Sequence, residues 1–108
     1  MITKQWGYED IIIKTNKYVL KKLCIHAGQR LSLQYHNVKE ETMYILKGEV
    51  DIRWGQMTHR KAVGEHIHIP PKCIHRVTAI TDAEIFEVST AELDDIVRLE
   101  DDYGRVNA

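Results

Sequence analysis

The spacing Gly28-x5-Gln34-x-His36-x4-Glu41-x6-Gly48, followed by Gly64-x5-Pro70-x4-His75, sets metal-ligating side chains between turn glycines. Gln34 and His36 are two apart in the alternating stretch Leu31-Ser-Leu-Gln-Tyr-His36, so on a strand both side chains leave the same face and can share one ion. Glu41 lies five residues beyond His36, an odd offset that a straight strand would send to the other face. The polar stretch 37–40 can bend the chain and bring Glu41 back toward the pair. His75 has to come from a different strand, because Pro70-Pro71 removes two ladder donors just before the apolar-rich run 73–77 begins. A site assembled across a sheet is predicted.

Two imidazoles, one carboxylate and one amide oxygen suit a borderline divalent ion such as zinc, with a further position left open for water or a substrate oxygen. His36, Glu41 and His75 also have the composition of a two-histidine, one-carboxylate facial triad, the set used for non-haem iron oxygen chemistry. Gln34 as a fourth ligand would crowd the positions that such chemistry needs open. A purely structural role for the four residues would bury polar groups satisfied only by one another, which is costly without a cation.

Short alternating or β-branched runs recur at residues 10–14, 18–26, 31–36, 42–46, 50–54, 66–69, 75–80 and 85–88. Asn16, Gly28, Gly48, Gly55, Gly64, Pro70-Pro71 and Asp82 punctuate them, at a spacing typical of an all-β sandwich or closed barrel. From Thr90 to Glu100 the rhythm changes: Leu93, Ile96, Val97 and Leu99 are spaced as on a helix, with Thr90 as N-cap and acids early, so a short C-terminal helical tail is predicted. His66 and His68 alternate with Ile67 and Ile69, so one pair faces the core and the other faces out, and the histidines are read as lying outside the ligand set. Trp6 and Trp54 are read as core or contact residues rather than sugar-stacking platforms.

With 108 residues the chain is expected to form a single domain, its core barrel over about residues 8–90 and its tail over 91–108. A formal net charge of -1, with 15 cationic residues among 16 anionic ones, provides no field for nucleic acid. The longest aliphatic run, Ile11-Ile12-Ile13, is far short of a membrane span, so no membrane partner and a cytoplasmic location are expected. Cys24 and Cys73 are both flanked by apolar residues, and no disulfide is assigned.

The spacing of the two motifs resembles that of the cupin superfamily, with Gln34 where the first histidine of its first motif usually stands and Lys72 and Ala79 in place of a glycine and an asparagine of its second. Nearly end to end, the chain is also similar to the C-terminal phosphomannose isomerase domain of type II mannose-6-phosphate isomerase/mannose-1-phosphate guanylyltransferase. Trp6-Gly7-Tyr8, Leu31-Ser-Leu-Gln-Tyr-His36, Ile69-Pro70, His75-Arg76, Glu87-Val88, 94–98 and Glu100-Asp-Asp-Tyr-Gly-Arg105 carry that resemblance. It implies a double-stranded β-helix, or jelly-roll barrel, holding one divalent ion on Gln34, His36, Glu41 and His75. Zinc is the first expectation for the ion, with Mn, Fe, Co or Ni as alternatives.

The activity implied is the interconversion of mannose 6-phosphate and fructose 6-phosphate, with a sugar phosphate as the small-molecule partner and a homodimer as the assembly. Lys39, Glu40 and Lys21 are the proton-transfer candidates, and Arg76 and Arg105 the phosphate contacts. The chain has no Gly-rich phosphate loop, and no guanylyltransferase activity is expected of it. Asn37-Val-Lys-Glu-Glu-Thr-Met43 departs from the family's His-His-Arg-Ala-Glu-His-Trp, and Lys39 lacks the planar fork of an arginine. The segment between Val88 and Asp94 is about three residues short. These departures leave two alternatives: a non-catalytic metal-containing cupin that binds sugar phosphates, and a small iron-dependent cupin oxygenase.

Overall fold

The computed structural model describes residues 1–106. Eleven strands follow one another: β1 (Ile2–Lys4), β2 (Gly7–Lys14), β3 (Tyr18–Ile25), β4 (Leu33–Tyr35), β5 (Glu41–Lys47), β6 (Glu49–Trp54), β7 (Met57–Ala62), β8 (His66–Ile69), β9 (His75–Ala79), β10 (Ala83–Thr90) and β11 (Val97–Glu100). They pair antiparallel in two sheets, ordered β1-β2-β3-β10-β5-β8 and β11-β4-β9-β6-β7. Glycines at left-handed φ make the sharp corners, among them Gly48 between β5 and β6 at φ 79°.

Period-two patterning decides which side chains fill the space between the sheets. On β5 it buries Glu41, Met43 and Ile45; on β10 it buries Ala83, Ile85, Glu87 and Ser89. Val50, Ile52, Ile69 and Val77 complete a core with essentially no exposure, and Trp6 packs into it. Each of these large aliphatic side chains contributes roughly 1.5–3 kcal/mol by leaving water. The opposite face of the first sheet carries Tyr18, Tyr44 and Val88 in exposed positions.

The chain of short strands is as the sequence predicts, with β1, β7 and β11 added to the eight expected runs. The helical tail is not formed: among the described residues there is no helix, while residues 107 and 108 of that expectation lie outside them. Thr90 closes β10, its N–H donating to Glu40 O at 3.0 Å, and after a turn the chain extends as β11 along β4, with Val97 opposite Tyr35 and Arg98 opposite Gln34. The unpaired edge of β4 offers a ladder to the β-branched and aliphatic run 96–99, and that tertiary partner outweighs the weak helical preference of so acidic a segment. Among the described residues no helix is long and apolar enough to cross a membrane.

Candidate metal centre

β4 and β5 belong to different sheets, so the loop 36–40 crosses from one to the other and the strand parity between His36 and Glu41 no longer applies. Glu41 enters the interior as the first residue of β5, and His75 as the first residue of β9, directly opposite Gln34 on β4. The two Nε2 atoms of His36 and His75 lie 3.0 and 3.1 Å from Glu41 Oε1, and all three side chains are buried. Gln34 Nε2 is 3.4 Å from His75 Nε2, while its Oε1 accepts from the Ser32 hydroxyl at 2.6 Å. Turning the amide over would aim Oε1 at the cluster and Nε2 at the same hydroxyl, which can also accept.

His36 Nδ1 sits 2.6 Å from Asp95 O, and His75 Nδ1 sits 2.9 Å from Cys73 O. A carbonyl only accepts, so each Nδ1 carries the proton and each Nε2 of a neutral ring is a bare lone pair. Both lone pairs face a carboxylate oxygen, an arrangement that repels unless a cation stands between them, and two buried imidazolium rings would be the costly alternative. Glu41 Oε2 has no hydrogen-bond partner among the described residues. Tetrahedral zinc with bonds of roughly 2.0–2.2 Å spaces its ligand atoms little further apart than these. The donor set, its spacing, the orphaned oxygen and the backbone carbonyls behind both rings fit one divalent ion.

Burial alone would raise the Glu41 carboxyl, but protons borne on the His36 and His75 Nε2 atoms when no ion is bound, together with the Lys39 charge, hold it well below the usual range. Lys39 is itself buried, its Nζ 3.7 Å from Glu41 Oε2 and 3.5 Å from Glu87 Oε2. Burial opposes its charge, and Glu87 with Glu41 more than restores it, raising the ammonium. Glu87 is pushed up to about 8, first by burial and then by the Glu41 carboxylate. It is a carboxyl that keeps its proton at neutral pH beside one that does not.

A cavity of about 290 Å³ reaches this cluster, its wall formed in part by Gln34, His36, Lys39, Glu87, Arg98 and Arg105. Lys21 also lines it, 3.6 Å from Glu9. Glu40, by contrast, is exposed on the far side of the crossing loop and pairs with His68 at 2.5 Å, so the structure does not bring it to the site. Arg76 is turned away from the cavity as well: adjacent to His75, it leaves the opposite face of β9, where its Nε donates to Leu31 O at 2.9 Å and its Nη2 reaches Asp102 at 3.5 Å.

Glu87 and Arg98 are among the cavity residues that escaped the sequence reading. Glu87 occupies an inward slot of the alternating run 83–90, and a charge in an apolar period-two row was the available signal. Arg98 lay in the segment read as helix; on β11 it faces the cavity, and its Nε is buried without a partner among the described residues. Burial, followed by the Arg105 charge, lowers its guanidinium from the usual value.

Comparison with known proteins agrees with this geometry. Residues 1–101 match the family described as "Mannose-6-phosphate isomerase C-terminal". Among relatives, the alginate biosynthesis protein AlgA of Pseudomonas aeruginosa is 29% identical over 96% of this chain and 23% of its own length. The mannose-1-phosphate guanylyltransferase RfbM of Salmonella typhimurium is 25% identical over 95% of this chain and 22% of its own. The chain thus spans less than a quarter of the length of these relatives.

Among solved structures, a conserved protein with a double-stranded β-helix domain from Klebsiella pneumoniae superposes with a TM-score of 0.78 at 17% identity, covering 93% of this chain and 90% of that one. A cupin superfamily protein from Desulfitobacterium hafniense gives 0.72 at 12% identity, covering 79% and 77%. Those likenesses establish the cupin fold. With the match running through every residue of the buried cluster and most of the cavity wall, the chain belongs to the mannose-6-phosphate isomerase C-terminal family.

Proposed function

We propose that this chain is a metal-dependent aldose-ketose isomerase that interconverts mannose 6-phosphate and fructose 6-phosphate. The observation that carries the reading is one cavity that reaches the buried histidine–carboxylate cluster through His36 and Gln34 and is lined by two arginines, one with an Nε donor that has no partner among the described residues. Its volume of about 290 Å³ is at the small end for ligand sites and suits one sugar phosphate.

Gln34, His36, Glu41 and His75 would hold the ion, most suitably zinc, which when bound polarises a carbonyl oxygen at C1 or C2 of the sugar. Arg98 and Arg105 supply planar donors for the phosphate, and the like charge between them is relieved when a dianion arrives. Proton transfer between C1 and C2 falls to the wall on the Lys39 side. There Glu87, held 3.5 Å from Lys39 Nζ and carrying its proton at neutral pH, has the reach to give that proton to a sugar oxygen and take it back. Lys39 keeps that carboxyl and Glu41 oriented, and Lys21 stands one strand further out. Leu93 and Ile96 close over the cavity from the tail and limit water.

One observation favours a second reading, a metal-containing cupin that binds sugar phosphates without turning them over. Lys39, the residue in the place of the family's arginine, is committed to Glu41 and Glu87. A coupled isomerase assay with mannose 6-phosphate on zinc-loaded protein separates the two. Turnover that disappears in Glu41→Ala and His75→Ala together with the bound metal is the expected result. Stoichiometric zinc and sugar-phosphate binding in the parent without turnover would leave the binding protein.

A further inference from the structure

Four consecutive backbone N–H groups of the loop joining His36 to Glu41 find their acceptors on the segment 90–95. Asn37 N donates to Asp95 Oδ1 at 2.9 Å, Val38 N and Lys39 N donate to Asp95 Oδ2 at 2.6 and 2.9 Å, and Glu40 N donates to Thr90 Oγ1 at 3.0 Å. Asp95 contributes once more through its backbone, where its carbonyl receives the His36 Nδ1 proton at 2.6 Å. A single residue, some sixty positions away in sequence, therefore grips both the ring that must face the centre and the loop that sets its distance to Glu41.

We infer that Asp95 is a positioning residue of the metal centre: its carbonyl fixes the tautomer and aim of His36, and its carboxylate fixes the loop that sets the spacing of His36 and Glu41. This rests on the reading of His36, Glu41 and His75 as ligands. The chemistry requires an anion in this place. Three N–H groups converge on two oxygens, a carboxylate has lone pairs enough for all three, and no other residue of the turn bonds them. An imidazole whose Nδ1–H is bound offers Nε2 to a cation without first having to find its orientation, so less ordering is left for the binding step. Because β11 begins two residues later, the pairing of the tail with β4 transmits directly to the ligand geometry.

The test is competition for Zn²⁺ against a chromophoric chelator, run on the parent, Asp95→Ala, Asp95→Asn and Thr90→Val, with thermal melting of each metal-free protein alongside. Asp95→Ala is expected to weaken zinc binding by about 10- to 100-fold. Asp95→Asn, which keeps one oxygen but turns an amide N–H toward the loop, is expected to fall in between. Thr90→Val removes the neighbouring loop contact without touching His36, and is expected to lower the melting temperature while zinc affinity stays within about threefold of the parent.

A second readout needs no metal. Asp95→Ala keeps the backbone carbonyl but releases the loop that holds it against His36, so nitrogen-15 spectra of the imidazoles should find His36 protonated at Nδ1 in the parent and in a mixture of tautomers in the variant. If Asp95→Ala fails to fold, Asp95→Asn carries both measurements. Zinc affinity unchanged in the folded Asp95 variants overturns the inference and leaves the metal centre standing, whereas a parent that binds no zinc removes the centre and the inference with it.

Discussion

At the scale of single residues, the site turns on which side chains are forced to share a small buried volume. Glu41 and Glu87 lie on adjacent strands and meet the same lysine, yet their carboxyls are driven in opposite directions: Glu41 down by two imidazoles, Glu87 up to about 8 by burial and by Glu41. Pairs of titratable groups pushed apart in this way are how a site obtains distinct acid and base roles from one residue type. Glu87→Gln keeps the shape and removes the acidic proton that the carboxyl gives and recovers. With zinc content unchanged, it is expected to reduce isomerase turnover by about 10²- to 10⁴-fold while affinity for mannose 6-phosphate moves little. A variant that turns over at the parental rate would transfer the proton-moving role to Lys39 or Lys21. Metal analysis beside the kinetics separates this effect from loss of the ion.

At the scale of elements, the turn 70–73 before β9 carries a residue that resists its own backbone. Lys72 is held at φ 71°, in the left-handed region, where the related motif has glycine. The geometry persists because Lys72 N donates to His36 O at 2.7 Å and its Nζ donates to Asn37 Oδ1 at 2.6 Å, tying this turn to the ligand-bearing loop. A left-handed L-residue costs roughly 1–2 kcal/mol, and an exposed side-chain hydrogen bond returns less than that. Lys72→Gly is therefore expected to stabilise the metal-free protein by about 0.5–1 kcal/mol, a gain of a few degrees in melting temperature. A lower melting temperature would mean that the Lys72–Asn37 contact contributes more than the strain removes.

At the scale of the whole molecule, ion pairs order the C-terminal segment and tie it to the barrel, while Tyr103 packs against the core. Arg105 donates to Asp101 at 2.8 and 2.9 Å, and Arg30 donates to Asp102 at 2.7 and 2.8 Å. The Arg105 hydrogen bonds hold the Asp101 carboxyl at about 2. A carboxyl whose folded value lies below its unfolded value of roughly 3.9 stabilises the fold above that pH, and the contribution fades as pH falls through the folded value.

Asp101→Asn is thus expected to cost about 2 kcal/mol at pH 7, with the denaturation midpoints of variant and parent converging as pH drops from about 4 toward 2. A constant difference across that window would place the effect in packing instead of ionisation. The variant also loosens Arg105, so sugar-phosphate affinity should fall with stability at neutral pH.

The sequence by itself determined the alternating strands, the corner glycines and the candidate ligands, because these depend on periods of two and on short fixed spacings that survive in one dimension. His36, Glu41 and His75 were legible as a set for that reason, and their geometry supports them as ligands. What only the tertiary structure decided lies where parity is broken or where a distant segment intervenes. Glu40 and Glu41 are neighbours in sequence, but the crossing between sheets sends one to solvent and the other to the centre.

Arg76 was expected as a phosphate contact, and its position next to His75 on a strand is what places it on the other face. The tail shows the same competition in its sharpest form. Its intrinsic pattern favoured a helix, the open edge of β4 offered a full ladder, and the ladder prevailed, carrying Arg98 to the cavity and Asp95 to His36. Local pattern records what a segment prefers in isolation, and only the folded chain reveals which partner is there to overrule it.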